Sequence, residues 1–298
     1  MSSPTASAVQ PVTQEVADRY RSNYGLAEQS VSAEQVAFHL DLEKRLTQEL
    51  LVSTPANRWD VFERAYSDLY EQLPWLVDTG GEVDVARWSK LIGPAPRRVY
   101  EVGSGHGDLA RALAEAGYVV TATDVSRERG GDRGRVARLT WAVTDGVNLA
   151  EHAAAASFDA VISDQLIEHL HPDDVAKHFS GARALLRPGG RYAFRTPHAL
   201  TGPHDVSLVV EAAKPFGMHL KEYTCGELES VARAAGFSDV RSVATVSGLA
   251  PFTRASRTHL AYQRLIERTA SLHRPRAKRA LRAAKYPVRP DVWLVASV

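Results

Sequence analysis

Several things are scarce in this sequence, and each scarcity excludes something. Its 298 residues include one cysteine, Cys225, and two methionines. A lone thiol cannot close an internal disulfide or supply a multi-thiolate zinc centre. Such cysteine usage goes with a reducing compartment, so the expected localisation is cytoplasmic. No apolar run approaches the roughly 20 residues that span a bilayer, and no transmembrane segment is expected. Excess charge is also missing: 36 Lys and Arg face 35 Asp and Glu, a net +1 at pH 7. A dedicated nucleic-acid binder carries more base than that. Met1 to Pro11 hold neither a basic stretch nor an apolar core, so they read as a disordered tail (1–11) and not a signal peptide.

What is present divides the chain by pattern. The hydrophobic share of 44% over this length suffices for one large domain with an appendage. Residues 12–92 carry helical spacing. Ser32 opens a run through Val36, Leu40, Leu42, Leu46 and Leu50. Asn57 starts another with Trp59, Phe62, Ala65, Tyr66, Leu69, Tyr70 and Leu73, which Pro74 closes. These stripes must pack on something; core packing is the plainer reading, with Tyr20 and Tyr24 as candidate lid residues.

From about residue 93 short apolar runs alternate with helical stretches, the mark of a parallel sheet with crossover helices. Strands are expected at Arg98–Val102, Tyr118–Asp124, Leu139–Val143, Phe158–Asp164, Arg191–Thr196, Asp239–Val246 and Asp291–Val298. The expectation is an α/β fold with a doubly wound, mostly parallel seven-stranded sheet over residues 93–298 and an N-terminal helical extension. A basic helical insertion is expected at about 251–289. Between Arg254 and Arg289 there are eleven Lys or Arg residues against one acid, Glu267, a local charge of about +10. Such runs are usually solvated faces; the other reading is an anionic partner such as a phosphorylated substrate, RNA or a membrane surface.

The chemistry is concentrated at the ends of the expected strands. Glu101-Val102-Gly103-Ser104-Gly105-His106-Gly107-Asp108 runs from a strand through a glycine turn into a helix. Gly103 and Gly105 permit tight backbone angles and close approach of a ligand. A nicotinamide fingerprint, G-x-G-x-x-G, would need glycine at Asp108. The pattern E-x-G-x-G-x-G instead resembles motif I of class I S-adenosylmethionine-dependent methyltransferases, of the small-molecule O-methyltransferase type. The resemblance covers about two thirds of the chain, with five motifs in order. It implies a Rossmann-like methyltransferase fold and S-adenosylmethionine as cofactor. Gly103 and Gly105 would face the methionine and ribose portions, and Glu101 would order the turn near the ammonium group.

Asp124, ending the second strand, can take both ribose hydroxyls or cap a helix. Asp145, after the third strand, matches the position that meets the adenine amino group, or serves as a turn residue before Gly146. Asp164 and Gln165 end the fourth strand, at the place that resembles the family's sulfonium and acceptor edge.

Past that edge come Glu168 and His169. Ubiquinone-pathway O-methyltransferases and small-RNA 2′-O-methyltransferases share E-x-x-E-H here and bind a divalent cation through it. This chain has Gln165 in place of the first glutamate, which removes a charge. The resemblance implies Glu168, His169 and His219 as ligands for Mg²⁺. Without a metal, His169 or His198 is the candidate general base, since histidine titrates near neutrality, and Glu168 joins them as a catalytic candidate. His204-Asp205 reads as a base with its orienter or as turn residues beside Pro203.

The function expected is methyl transfer to a hydroxyl of a small molecule: a sugar, a polyketide or an aromatic natural product. Two alternatives stand beside it. One is an RNA 2′-O-methyltransferase with a divalent metal site, favoured by the basic stretch and disfavoured by Gln165 and the near-neutral charge. The other is a non-catalytic S-adenosylmethionine-binding partner protein. The sequence leaves monomer and homodimer both open.

Overall fold

The protein is seen in a computed structural model, which describes residues 12–27, 31–76, 83–126, 136–246, 252–269, 272, 275–284 and 291–298. The expected tail at 1–11 lies outside the described residues, as does part of the basic stretch. The chain divides into two compact units: Met1–Thr79 with Pro203–His219, and Gly80–Gly202 with Leu220–Val298. Among the described residues, no helix is long and apolar enough to cross a membrane.

The smaller unit is built on helices α1 (Gln14–Tyr24), α2 (Ala33–Val52) and α3 (Arg58–Gln72). Ser32 starts α2 through a capping box with Gln35, each side chain satisfying the other's backbone N–H at 3.2 and 2.8 Å. The apolar core of Ala17, Tyr20, Val31 and Val36 also takes Val206 and Val209 from the later segment. A polar thread runs through it. Trp75 Nε1 donates to the Tyr20 hydroxyl at 3.0 Å, which meets His39 Nδ1 at 2.7 Å; His39 Nε2 meets Glu43 Oε1 at 2.7 Å. Glu43 Oε2 then accepts the Met218 N–H at 3.2 Å. Tyr20 is thus a fully buried core residue, with burial pushing its phenol up to about 12. Asp205 serves the backbone: one oxygen caps the short turn at Ser207 (3.1 Å) and the other accepts the Gly217 N–H (2.6 Å).

The larger unit holds, among the described residues, one sheet and seven α-helices. Its strands are β1 (Arg98–Val102), β2 (Val119–Asp124), β3 (Leu139–Val143), β4 (Phe158–Asp164), β5 (Leu186–Pro197), β6 (Asp239–Val246), β7 (Phe252–Ser256) and β8 (Asp291–Ser297). Their order is β3-β2-β1-β4-β5-β8-β6-β7. The first five are parallel, and β8, β6 and β7 join antiparallel. The described sheet therefore has eight strands where the sequence pattern suggested seven. The added strand, β7, lies in the stretch expected to be a basic helical insertion. It pairs with β6 from Ser242↔Ser256 to Val246↔Phe252. Five residues are too few for alternation to stand out, and Arg254 inside them reads as part of the charged run.

Helices α4 (Val85–Ile92), α5 (Asp108–Glu115), α6 (Leu149–His152), α7 (Val175–Leu185), α8 (Cys225–Ala234), α9 (Arg257–Glu267) and α10 (Pro275–Ala284) complete the unit. Alternation along β1 sends Val99 to one face, with Leu91, Ile92, Leu109 and Leu113. Tyr100 and Val102 go to the other, with Phe179, Leu228 and Leu260. Burial on both faces is what makes the central parallel strands nearly continuous apolar runs. α4 belongs to this unit although its sequence continues the N-terminal helical pattern.

Candidate active site

Chain order reverses between β1 and β4: from β1 the sheet runs through β2 to β3, and from β4 to β5. In such sheets the loops beyond the carboxyl ends of the two strands diverge and leave a crevice. The candidate residues of the larger unit gather along this carboxyl edge.

The turn after β1 uses left-handed backbone at Gly103 (φ 69°), Gly105 (53°) and Gly107 (75°). A side chain there would also collide. A Cβ on Gly103 would come within 2.7 Å of Leu166 Cδ1, and one on Gly107 within 1.9 Å of the Trp141 ring. The turn is gripped from the neighbouring strand, where Asp124 Oδ2 accepts the Gly105 N–H at 2.7 Å and Thr123 O accepts that of Ser104 at 2.9 Å. Asp124 Oδ1 faces the Ser126 N–H at 3.4 Å. The alternative use of Asp124 as a helix cap would involve residues from 127 on, which lie outside the described ones.

Glu101 sits beneath this turn, 2% exposed. Its Oε2 has no hydrogen-bond partner among the described residues. Burial drives its carboxyl well above the usual range, and the charges of Asp164, Asp124 and Asp108 push it further. Four acids converge where anionic charge is costly, so a ligand bringing positive charge relieves the site. S-adenosylmethionine carries a sulfonium and an ammonium, and fits that requirement.

Asp145 stands after β3. Its Oδ1 accepts the N–H groups of Val147 (2.8 Å) and Asn148 (2.7 Å), and its Oδ2 takes the Asn148 side chain. Here the carboxylate shapes the turn, one of the two uses the sequence allowed.

At the end of β4, Asp164 is held in a two-point ion pair by Arg195 of β5, at 2.5 and 2.9 Å. Burial raises the Asp164 carboxyl, with Arg195 opposing and Asp291 adding to it. Gln165 follows in the left-handed region (φ 55°), with Nε2 donating to Asp291 at 3.4 Å and Oε1 buried without a partner among the described residues. Left-handed backbone at a residue other than glycine costs on the order of 1 kcal/mol and collects at working sites.

Glu168 is fully buried, its Oε2 accepting from Thr196 Oγ1 at 2.8 Å. Its carbonyl accepts the N–H groups of Leu220 (2.8 Å) and Lys221 (3.3 Å). His169 keeps a quarter of its side chain exposed, with Nε2 4.0 Å from Glu168 Oε1. His219 and His204 fall in the smaller unit.

His198, the other candidate base, is placed differently. It is 1% exposed, its Nδ1 accepts the Leu200 N–H at 3.0 Å, and its Nε2 donates to Glu267 Oε1 at 3.0 Å. Glu267 further accepts the N–H groups of Cys225 (2.7 Å) and Gly226 (2.9 Å). Burial raises the Cys225 thiol well above its usual value and Glu267 adds to it, so it stays protonated and unreactive. Among the described residues His198, Cys225 and Glu267 cluster closely enough to hold an ion. Yet Glu267 is already saturated by donors, so the cluster is complete as it stands. Arg195 and Thr196, which hold Asp164 and Glu168, went unremarked in the sequence because nothing local marks a cross-strand partner.

A family model described as a methyltransferase domain matches residues 82–242, over half of the chain. The chain is 30% identical over 196 residues to a ubiquinone biosynthesis O-methyltransferase of Ralstonia nicotianae, covering 61% of this chain and 76% of that one. With the enzyme of the same name from Aeromonas salmonicida it shares 29% over 217 residues, covering 66% and 83%. Among solved structures, a possible histamine N-methyltransferase of Thermotoga maritima aligns with a TM-score of 0.51 at 18% identity, covering 80% of this chain and 99% of that one. A 1,6-didemethyltoxoflavin-N1-methyltransferase of Burkholderia thailandensis does so at 0.51 and 18%, covering 83% and 91%. The structural likenesses speak for the fold; the sequence matches speak for the family. With the glycine turn, the acid at the end of β2 and the reversed strand order in place, the chain belongs to the class I S-adenosylmethionine-dependent methyltransferases, of the O-methyltransferase type.

Proposed function

We propose that the enzyme methylates a hydroxyl of a small cytoplasmic molecule, an aromatic hydroxyl first and a sugar or polyketide hydroxyl next. His169 is the general base. The observation that carries this reading is the Glu168–His169 pair: a partly exposed imidazole beside a buried carboxylate, directly beyond β4. The relatives named for O-methylation support oxygen as the atom methylated.

The roles follow from placement. Gly103 and Gly105 admit the cofactor's backbone-hugging portion, Glu101 and Asp164 answer its positive charge, and Gln165 follows Asp164 at the same strand end. Asp124 takes the ribose hydroxyls while it steadies the turn, and Asp145 presents its turn to the adenine. Bound S-adenosylmethionine supplies a methyl group on a sulfonium, a leaving group that needs no protonation. The remaining work is to line up the acceptor oxygen and remove its proton. His169 receives that proton on its imidazole. Glu168, held by Thr196, stabilises the imidazolium that forms.

Mg²⁺ on Glu168, His169 and His219 is the other route that the sequence pattern offers. Magnesium prefers oxygen ligands, whereas this set has one carboxylate, two imidazoles and a neutral amide where relatives of the pattern carry a second acid. The donor chemistry suits magnesium poorly.

The test is formation of S-adenosylhomocysteine from S-adenosylmethionine across catechols, phenols, sugars and short RNAs, each with Mg²⁺ and with EDTA. Turnover of a phenolic acceptor in EDTA is the expected result. Turnover only on RNA would replace the acceptor class, and loss in EDTA with recovery on Mg²⁺ would replace the base by the metal.

A further inference from the structure

α7 carries a histidine that takes no part in the proposed methyl transfer. His178 is fully buried. Its Nδ1 lies 2.6 Å from the Gly146 carbonyl and its Nε2 2.7 Å from the Tyr192 hydroxyl, which in turn lies 2.7 Å from Ser163 Oγ. A carbonyl can only accept, so Nδ1 bears the proton and donates. Nε2 is then the lone pair that accepts from Tyr192, and Ser163 donates to Tyr192. The direction of every bond in the chain follows from its first member.

The two ends of this chain matter. Gly146, in left-handed backbone (φ 68°), is the centre of the turn that Asp145 shapes. Ser163 is the residue before Asp164 at the end of β4. One turn along α7, Gly181 presses on the same loop: a Cβ there would lie 3.3 Å from both the Val147 carbonyl and Leu149 Cβ. The face of α7 that bears His178 and Gly181 is thus fitted to the turn.

We infer that His178 is a positioning residue for the adenine end of the cofactor site, a strut that holds the Asp145–Gly146 turn in register with β4 and β5 without touching the cofactor. The inference rests on the reading that this turn faces the adenine. Burial drives the imidazole down to about 4, with the Gly146 bond and Asp145 opposing, so the neutral form this geometry needs is the one present at neutral pH.

Two substitutions separate the strut from plain packing. His178→Asn places an amide N–H near the position of Nδ1 and keeps the bond to Gly146. His178→Gln places its amide near Nε2 and loses that bond. Affinity for S-adenosylhomocysteine is measured by calorimetry on the full-length variants at pH 7.5, with Asp145→Ala beside them. The Gln variant is expected to bind about five- to tenfold more weakly, the fold-change that one hydrogen bond commands. The Asn variant should bind within about twofold of wild type, and kcat at saturating S-adenosylmethionine should hold in both. Wild-type affinity in the Gln variant, or equal weakening in both, overturns the strut, since loss of packing alone would act on them alike. If Asp145→Ala also binds normally, the placement of the adenine fails first; if only it binds weakly, the strut alone fails. Should the Gln variant not fold, Gly181→Ala tests the fit of the same face of α7 to the loop after Gly146, in a helix that alanine favours. It is expected to weaken binding at least about twofold, and unchanged binding overturns the inference.

Discussion

Glu267 and Glu101 are both buried acids of the larger unit, 9% and 2% exposed, in two regions that treat them oppositely. At the junction of α8 and α9, Glu267 collects His198 Nε2 and the N–H groups of Cys225 and Gly226. Burial alone would raise its carboxyl, but these donors outweigh it and hold the group below the ordinary carboxylate range. At the carboxyl edge of β1, Glu101 has an oxygen with no donor among the described residues and three acids acting on it, and its carboxyl is pushed up. The two histidines divide in the same way. His198 has both nitrogens spoken for, while His169 keeps an exposed part and a carboxylate behind it. The difference separates residues that complete the fold from residues left in tension for a ligand. A saturated buried carboxylate needs nothing more; an unsaturated one marks where something else must arrive.

The largest expected effects test that division directly. Glu267→Ala leaves His198 and two backbone N–H groups buried without their acceptor, which should cost about 3–5 kcal/mol of stability. Urea denaturation measures it, and S-adenosylhomocysteine should bind normally to what remains folded; weakened binding by the folded protein would place Glu267 in the site. His169→Ala should lower turnover by about 10²–10⁴-fold with cofactor affinity nearly intact. His198→Ala should instead lose about 1–3 kcal/mol of stability and keep its turnover when folded. Reversal of that pair would exchange the roles of the two histidines.

Acid sharpens the comparison with a smaller effect. The His178 imidazole is depressed from 6.5 to about 4. Between those values the unfolded chain binds a proton that the folded one refuses. Stability is therefore complete above about pH 6.5 and falls as pH drops toward 4, by up to about 3 kcal/mol. Glu267, depressed as well, continues the loss below pH 4.5. Glu101 acts oppositely, since its raised carboxyl is relieved by protonation. Urea midpoints at pH 7 and 4.5 should differ less in His178→Asn than in wild type; an equal difference would assign the acid loss to other groups.

Legibility in the sequence followed the range of the interactions. The glycine turn could be read because left-handed backbone and close packing are local demands with a local answer, Gly103-Ser104-Gly105-His106-Gly107. β1 and β4 were legible because they are buried along most of their length and so read as apolar runs. β7 was not, because its existence depends on β6 offering an edge, and neither was α4's membership of the sheet unit. His198 and His169 look alike in sequence, each a histidine just past a strand. They differ through Glu267, 69 residues beyond His198. Nor could the sequence show that Asp164 and Glu168 are held by Arg195 and Thr196, neighbours only through the β4–β5 register.

The finest test falls on Glu101 itself. Glu101→Gln keeps the shape and removes the charge that Asp164, Asp124 and Asp108 resist. Two opposing effects then separate by what is measured. Without cofactor, removing an anion from an acidic, buried place should leave stability unchanged or raise it. With cofactor, the lost charge can no longer answer an ammonium or a sulfonium, so S-adenosylmethionine should bind more weakly by about 1–3 kcal/mol, the range for a hydrogen bond to a charged group. Adding salt should not reproduce the effect, because a buried pair is poorly screened. A variant that binds the cofactor as well as wild type yet loses stability would show Glu101 to be a structural acid like Glu267, and the contrast between the two regions would collapse.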